Sequence, residues 1–167
     1  MRSANRSLPE LPHLTFPVSD QHAGAVAGVL MGSLPAAKNG CGWIAVCNAL
    51  WLCGGDFDPR EVVRSFSRRL LFGGRLGAMP WQITRALRLF GKTAFKSPRV
   101  EKTLAGMSRG EAAILLVKNR GSSVWHYFAV RAGGEGLFEA FNARPARGDA
   151  KALQKNYKFI FIWKIKQ

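Results

Sequence analysis

Residues 39–53 read NGCGWIAVCNALWLC, and from Cys41 onward the stretch is apolar almost all the way round. A helix with no polar face has to be covered on every side, so this segment predicts a buried central helix. Gly54-Gly55 supplies its stop. The cover must come from the rest of a 167-residue chain that is 47% hydrophobic and 21% charged. That is one globular domain, long enough to bury roughly 70% of its unfolded surface. Before the helix, residues 1–18 hold Pro9, Pro12 and Pro17 and read as an extended arm. Ser19 and Asp20 can cap a short helix ending near Val29 or Leu30, and residues 32–40 form a loop containing Pro35. After it, Asp58-Pro59 opens a helix to about Leu71, and Pro80-Trp81 opens another to Phe90, stopped by Gly91. A short strand follows near Ala94. The period then turns strand-like over 112–118, 124–131, 137–142 and 157–166, with a helical turn or two over 149–155. Helices first and an antiparallel meander afterwards make an α+β fold, with residues 1–38 as an N-terminal arm and short helix and residues 39–167 as the main domain.

No apolar run approaches the roughly 18 residues of a membrane span, and the N-terminus lacks a signal-peptide pattern. Three cysteines are too few, and an odd number, for a disulfide scaffold. A reducing, cytoplasmic setting is expected, with signal-free secretion left open. The net charge of +15 is unevenly spread: residues 57–110 carry twelve basic and three acidic side chains, while residues 111–142 carry three of each. Arg60, Arg64 and Arg68 fall on one face of their helix, with Arg75, Arg85 and Arg88 nearby. Such a face is either simply solvated or attracts an acidic peptide or protein. Nucleic acid is disfavoured, because no stacking or finger motif accompanies the charge.

The neutral blocks carry the candidate chemistry. Cys41 opens the buried helix, where unsatisfied N–H groups and the positive end of the dipole favour a thiolate. Gly42 leaves room beside the sulfur and Trp43 adds a flat wall. Cys47 and Cys53 follow at six-residue steps, so the three sulfurs point in different directions and do not form a metal site. A nucleophilic thiol needs a base. Of His13, His22 and His126, the last lies in a strand, VWHYFAV. If the loop to the next strand is residues 132–136, Arg131 faces Leu137 and His126 faces Asn142. The amide would then fix the imidazole tautomer, which is the triad logic of nucleophilic acyl transfer.

Asn-Gly-Cys-Gly-Trp at a helix start, then WHYFAV at 125–130 and FEAFNA at 138–143, resembles the papain-like cysteine peptidases. In size and spacing it is most similar to the bacterial double-glycine leader peptidases that process bacteriocin precursors. The resemblance spans roughly residues 39–165. It implies Cys41 as nucleophile, His126 as general base and acid, and Asn142 as the orienting residue, with no cofactor. That family usually has Asp in the third position, so Asn142 is nearer the papain pattern. It also has a glutamine about six residues before the cysteine as oxyanion donor; here that position is Pro35. Asn39 and the backbone N–H of Cys41 are the substitutes, and Gln21 could reach only if the first helix folds back over the site. Trp43, Trp81 and Trp125 are expected to line the substrate groove. The same site would serve a deamidase or acyltransferase acting on a protein, and the fold alone would serve a non-catalytic module binding an acidic partner.

Overall fold

The computed structural model describes residues 14–67, 75 and 77–166. A single-turn 3-10 helix, Gly24–Gly28, precedes a two-stranded hairpin, β1 (Leu30–Met31) and β2 (Leu34–Pro35). The short α1 (Ala36–Asn39) then leads through Gly40 into α2 (Cys41–Leu52). α3 (Pro59–Ser67), α4 (Pro80–Leu89), β3 (Ala94–Ser97) and α5 (Val100–Ala105) follow. The rest is β4 (Ala112–Asn119), β5 (Trp125–Gly134), β6 (Leu137–Phe141), β7 (Arg147–Asp149), α6 (Ala150–Asn156) and β8 (Tyr157–Ile165). The strands from β3 onward form one antiparallel sheet in the order β3-β8-β4-β5-β6-β7. It is therefore a meander only in part, since β8 returns to lie between β3 and β4.

The apolar pattern explains the layering. α2 buries every residue from Cys41 to Leu50. Each fully buried Trp, Ile or Leu there contributes roughly 1.5–3 kcal/mol by leaving water. β4 buries Ala112 through Val117 without a break. Ile114 and Leu116 join the cluster around α2, while Ala113, Leu115 and Val117 join a second cluster with Val100 and Leu104 of α5 and Leu153 of α6. Continuous burial with alternating destinations identifies a strand covered on both faces. Among the described residues, no helix is long and apolar enough to cross a membrane.

Several expectations need correcting. Instead of a helix from Ser19 to Leu30 there is the single 3-10 turn, because Gly24 takes a positive φ and alanine and glycine offer no apolar stripe to dock. The loop expected over 32–40 contains β2 and α1. The helix expected to reach Leu71 is seen to Ser67, and its remainder, with Arg68, lies outside the described residues, as does His13. Val18, Val26, Val29, Met31 and Ala36 belong to the same core as α2, so the described part of the N-terminal region has no core of its own.

Candidate active site

Cys41 is the first residue of α2, separated from the last residue of α1, Asn39, by Gly40 alone. The helix start is held close to the segment leading into α4: a Cβ on Gly42 would lie 2.1 Å from Ala78 Cβ. The absence of a side chain at Gly42 therefore lets the two segments touch beside the thiol. On the other side, Cys41 meets β5. Ala132 exchanges backbone hydrogen bonds with Gly110 and Glu111. Alternate residues of β5, Tyr127 among them, consequently direct their N–H toward β6. β6 pairs with β5 only from Ala129↔Phe141 onward. The N–H of Tyr127 lies past the end of that ladder, and it donates to the Cys41 sulfur instead.

The register between β5 and β6 differs from the expected one. Arg131 faces Glu139, not Leu137. The connection is a two-residue turn, Glu135 and Gly136, both with positive φ (53° and 73°), preceded by an irregularity between Ala132 and Gly134. That is the hairpin geometry whose twist matches the strands. The displacement is two residues, so every side chain keeps its face. This is why His126 and Asn142 still meet.

They meet through different atoms than the sequence suggests. His126 Nε2 lies 2.6 Å from the backbone carbonyl oxygen of Asn142. A carbonyl only accepts, so Nε2 carries the proton and Nδ1 presents the lone pair in the neutral ring. The Asn142 side chain turns to Gln21: its Oδ1 accepts from Gln21 N at 2.9 Å, and its Nδ2 donates to Gln21 Oε1 at 2.9 Å. Gln21 Nε2 in turn donates to the Ala37 carbonyl of α1 at 3.1 Å. Asn142 has φ +64°, a left-handed conformation that asparagine tolerates better than most residues. It ends β6 and frees its own carbonyl for the imidazole. The ring is flanked by Phe128 and Tyr157, at centroid distances of 6.0 and 6.5 Å. Among the described residues no hydrogen bond joins the Cys41 sulfur to the ring.

The electrostatics also depart from expectation. Burial pushes the Cys41 thiol above its ordinary value; the N–H groups of Tyr127, Gly42 and Cys41 itself oppose this with a smaller effect. The helix terminus acts in the predicted direction, but desolvation of the charged form wins. Burial likewise lowers His126 below the ordinary imidazole range; the Asn142 carbonyl partly offsets this, and the charge of His22 adds to it. Both shifts favour the uncharged forms, the neutral thiol and the neutral imidazole.

Among the other expected site residues, Trp43 is fully buried and lines no accessible surface. It is a core side chain, as the all-round apolarity of α2 requires. Asn39 is also buried, and its Nδ2 donates to the Met31 carbonyl at 3.0 Å, tying α1 to β1. Trp81 and Trp125 are exposed. The arginine stripe of α3 is partly neutralised: Arg60 pairs with Asp58 at 2.9 Å and Arg64 with Glu61 at 2.7 Å. Two groups stand at the site outside the expected triad: the Asn142 carbonyl, and Gln21, which the sequence offered only as an oxyanion donor were the first helix to fold back. Nothing local marks Gln21, which sits 121 positions from Asn142. An asparagine just past an apolar strand is a recognised seat for a left-handed residue, and that signal was available.

No family model matches this sequence, and no curated protein matches it. Solved structures do share its fold. One is the peptidase domain of Streptococcus ComA, a bi-functional ABC transporter involved in a quorum sensing pathway (TM-score 0.54, 14% identity, covering 75% of this chain and 89% of that one). A second is the peptidase domain of Streptococcus mutans ComA (TM-score 0.50, 13% identity, 78% and 93%). A third is a double glycine motif protease from an AMS/PCAT transporter in complex with its leader peptide (TM-score 0.52, 16% identity, 75% and 84%). The chain thus has the α+β fold of papain-like double-glycine peptidase domains.

Proposed function

We propose that this chain is a thiol peptidase in which Cys41 is the nucleophile and His126 the general base and acid. The observation that carries the reading is the seat of Cys41: first residue of a buried helix, its sulfur against the backbone N–H of Tyr127, one residue from an imidazole fixed by the Asn142 carbonyl. His126 Nδ1 takes the thiol proton as the sulfur attacks the scissile carbonyl. Because both shifts favour the uncharged forms, transfer accompanies attack rather than preceding it. The oxyanion accepts from the Cys41 backbone N–H, a first-turn donor that faces the reacting sulfur and has no carbonyl of a preceding turn to serve. Protonated His126 gives its proton to the leaving amine, and a thioester remains on Cys41. Water, deprotonated by His126, attacks the thioester; the acid leaves and the thiol is reprotonated.

Trp81 belongs to a groove of about 660 Å³ that also includes Arg85, Arg88, Leu89 and Lys96. Among the described residues none of its three cations is in an ion pair, unlike Arg60 and Arg64. Trp81 follows Ala78, which touches α2 at Gly42. The groove suits a peptide with an acidic, partly apolar segment.

The test is a screen of peptide cleavage by the wild type and Cys41→Ala, with mass spectrometry of the products and of Cys41 after iodoacetamide. Thiol-dependent chain cleavage is expected. An intact substrate heavier by about 1 Da would transfer the same thioester chemistry to deamidation. No turnover together with an unlabelled Cys41 would refute the thiol reading.

A further inference from the structure

We propose that Gln21 is a positioning residue of this site: one buried side-chain amide ties the strand end that orients His126 to the helical segment that delivers Cys41. The inference rests on the role of Cys41 and His126 proposed above. Gln21 is 6% exposed and makes three hydrogen bonds across the site. Two join it to the Asn142 side chain in a reciprocal pair, and the third joins it to Ala37 of α1. Asn142 touches the imidazole only through its carbonyl. The orientation of that carbonyl depends on the backbone torsions of a residue that has left the ladder and stands at φ +64°. The ladder has ended there: Ala140 N–H to the Ala146 carbonyl (2.7 Å) and Arg144 N–H to Tyr157 Oη (3.0 Å) close the loop on either side, and at Asn142 itself the tie is its side-chain pair with Gln21.

The same amide reaches the nucleophile's side. Ala37 lies in α1, which passes through Gly40 directly into α2. A movement of Gln21 therefore shifts the base's partner and the thiol's helix relative to each other. The residues around Gln21 are arranged to hold it. Asp20 lies 3.9 Å from Arg144 on the far side of Asn142, and its Oδ1 accepts from His22 N at 2.8 Å. The stretch 20–22 is thus tied to the stretch 142–144 at two points. Gln21 does not touch the reacting atoms in this arrangement; it acts through Asn142.

The experiment reads the His126 Hε2 proton by NMR in the full chain. In the wild type this proton, held by the Asn142 carbonyl, is expected as a resolved downfield signal exchanging slowly with water. Gln21→Met keeps the volume and removes both side-chain hydrogen bonds. It is expected to speed Hε2 exchange at least about tenfold, the equivalent of one hydrogen bond. It should also lower kcat for a p-nitrophenyl ester about tenfold with KM nearly unchanged. The double variant Gln21→Met/Asn142→Gly should be no worse than the poorer single, since both cut one tie. Gln21→Glu keeps an acceptor for Asn142 and, when protonated, a donor for Ala37, so at pH 6 it should restore the slow proton and guards against a folding defect in the methionine variant. Wild-type Hε2 exchange in Gln21→Met would overturn the proposal. So would a kcat loss with exchange unchanged, which would assign Gln21 to the oxyanion. Absence of ester turnover in the wild type would sink the thiol reading instead, while Hε2 exchange would still decide the role of Gln21.

Discussion

Deleting the Asn142 side chain separates two ways of orienting His126. If the amide held the ring, as in the side-chain triad read from the sequence, Asn142→Gly would release the tautomer and cost on the order of 10³–10⁴ in turnover. The structure gives the ring a backbone carbonyl at 2.6 Å, and glycine keeps that carbonyl. Glycine also accepts φ +64° freely, which returns about 1 kcal/mol of left-handed strain. Against this, Gln21 N loses its acceptor and Gln21 Oε1 its donor, both at 2.9 Å and both buried. Each orphaned group costs about 1–3 kcal/mol. The net expectation is a loss of roughly 2–4 kcal/mol, or about 5–15 °C in Tm for a chain of this size. Turnover of a p-nitrophenyl ester, measured well below that Tm, should fall only about tenfold because the carbonyl is loosened rather than lost. His126→Ala, measured beside it, should fall by 10²–10⁴, as general acid–base catalysis disappears. Activity of Asn142→Gly as low as that of His126→Ala would refute the carbonyl's role.

Folding stability should depend on pH through His126, whose proton affinity in the fold is reduced by burial from the ordinary 6.5. The unfolded chain then binds the proton more readily, so this contribution is complete above 6.5 and is lost as pH falls through the lowered native value. Urea midpoints at pH 7.5 and 5 should diverge in the wild type, and less so in His126→Gln. Iodoacetamide modification of Cys41 should climb with pH and still be climbing past the ordinary thiol value of 9.0, without the acidic plateau that a thiolate–imidazolium pair produces. Gly42→Ala sets two Cβ atoms 2.1 Å apart and should cost about 1–3 kcal/mol or more of stability, recovered in Gly42→Ala/Ala78→Gly; a wild-type Tm for the single variant would refute the close approach. Arg85→Glu with Arg88→Glu should weaken binding of a glutamate-rich amphipathic peptide at least about tenfold at low salt, an effect that fluorescence anisotropy would show fading as salt rises.

Much of the molecule was legible in local pattern. All-round apolarity from Cys41 and the Gly54-Gly55 stop defined α2. Asp58 followed by Pro59 and the Pro80-Trp81 pair marked the starts of α3 and α4. The switch to alternating hydrophobicity after residue 111 marked the sheet. These are properties of a chain segment and its nearest neighbours, so sequence periodicity reports them. The places of Cys41 and His126 were legible for the same reason: one lies at a helix start and the other in a strand.

What the sequence could not determine involves distance along the chain or competition between opposing terms. β8 inserts between β3 and β4 because β4 needs cover on both edges, a fact of the assembled sheet and not of residues 157–165. Trp43 looked like a wall for substrate, but only the packing of α2 reveals that no solvent reaches it. The helix terminus and burial pull the Cys41 thiol in opposite directions, and the depth of the pocket decides between them. A two-residue hairpin register moved Asn142 off the ladder, which gave its carbonyl to His126 and its amide to Gln21. Sequence alone thus determined which groups could do chemistry; the tertiary structure decided which atoms face one another, because register and burial are settled by the whole core at once.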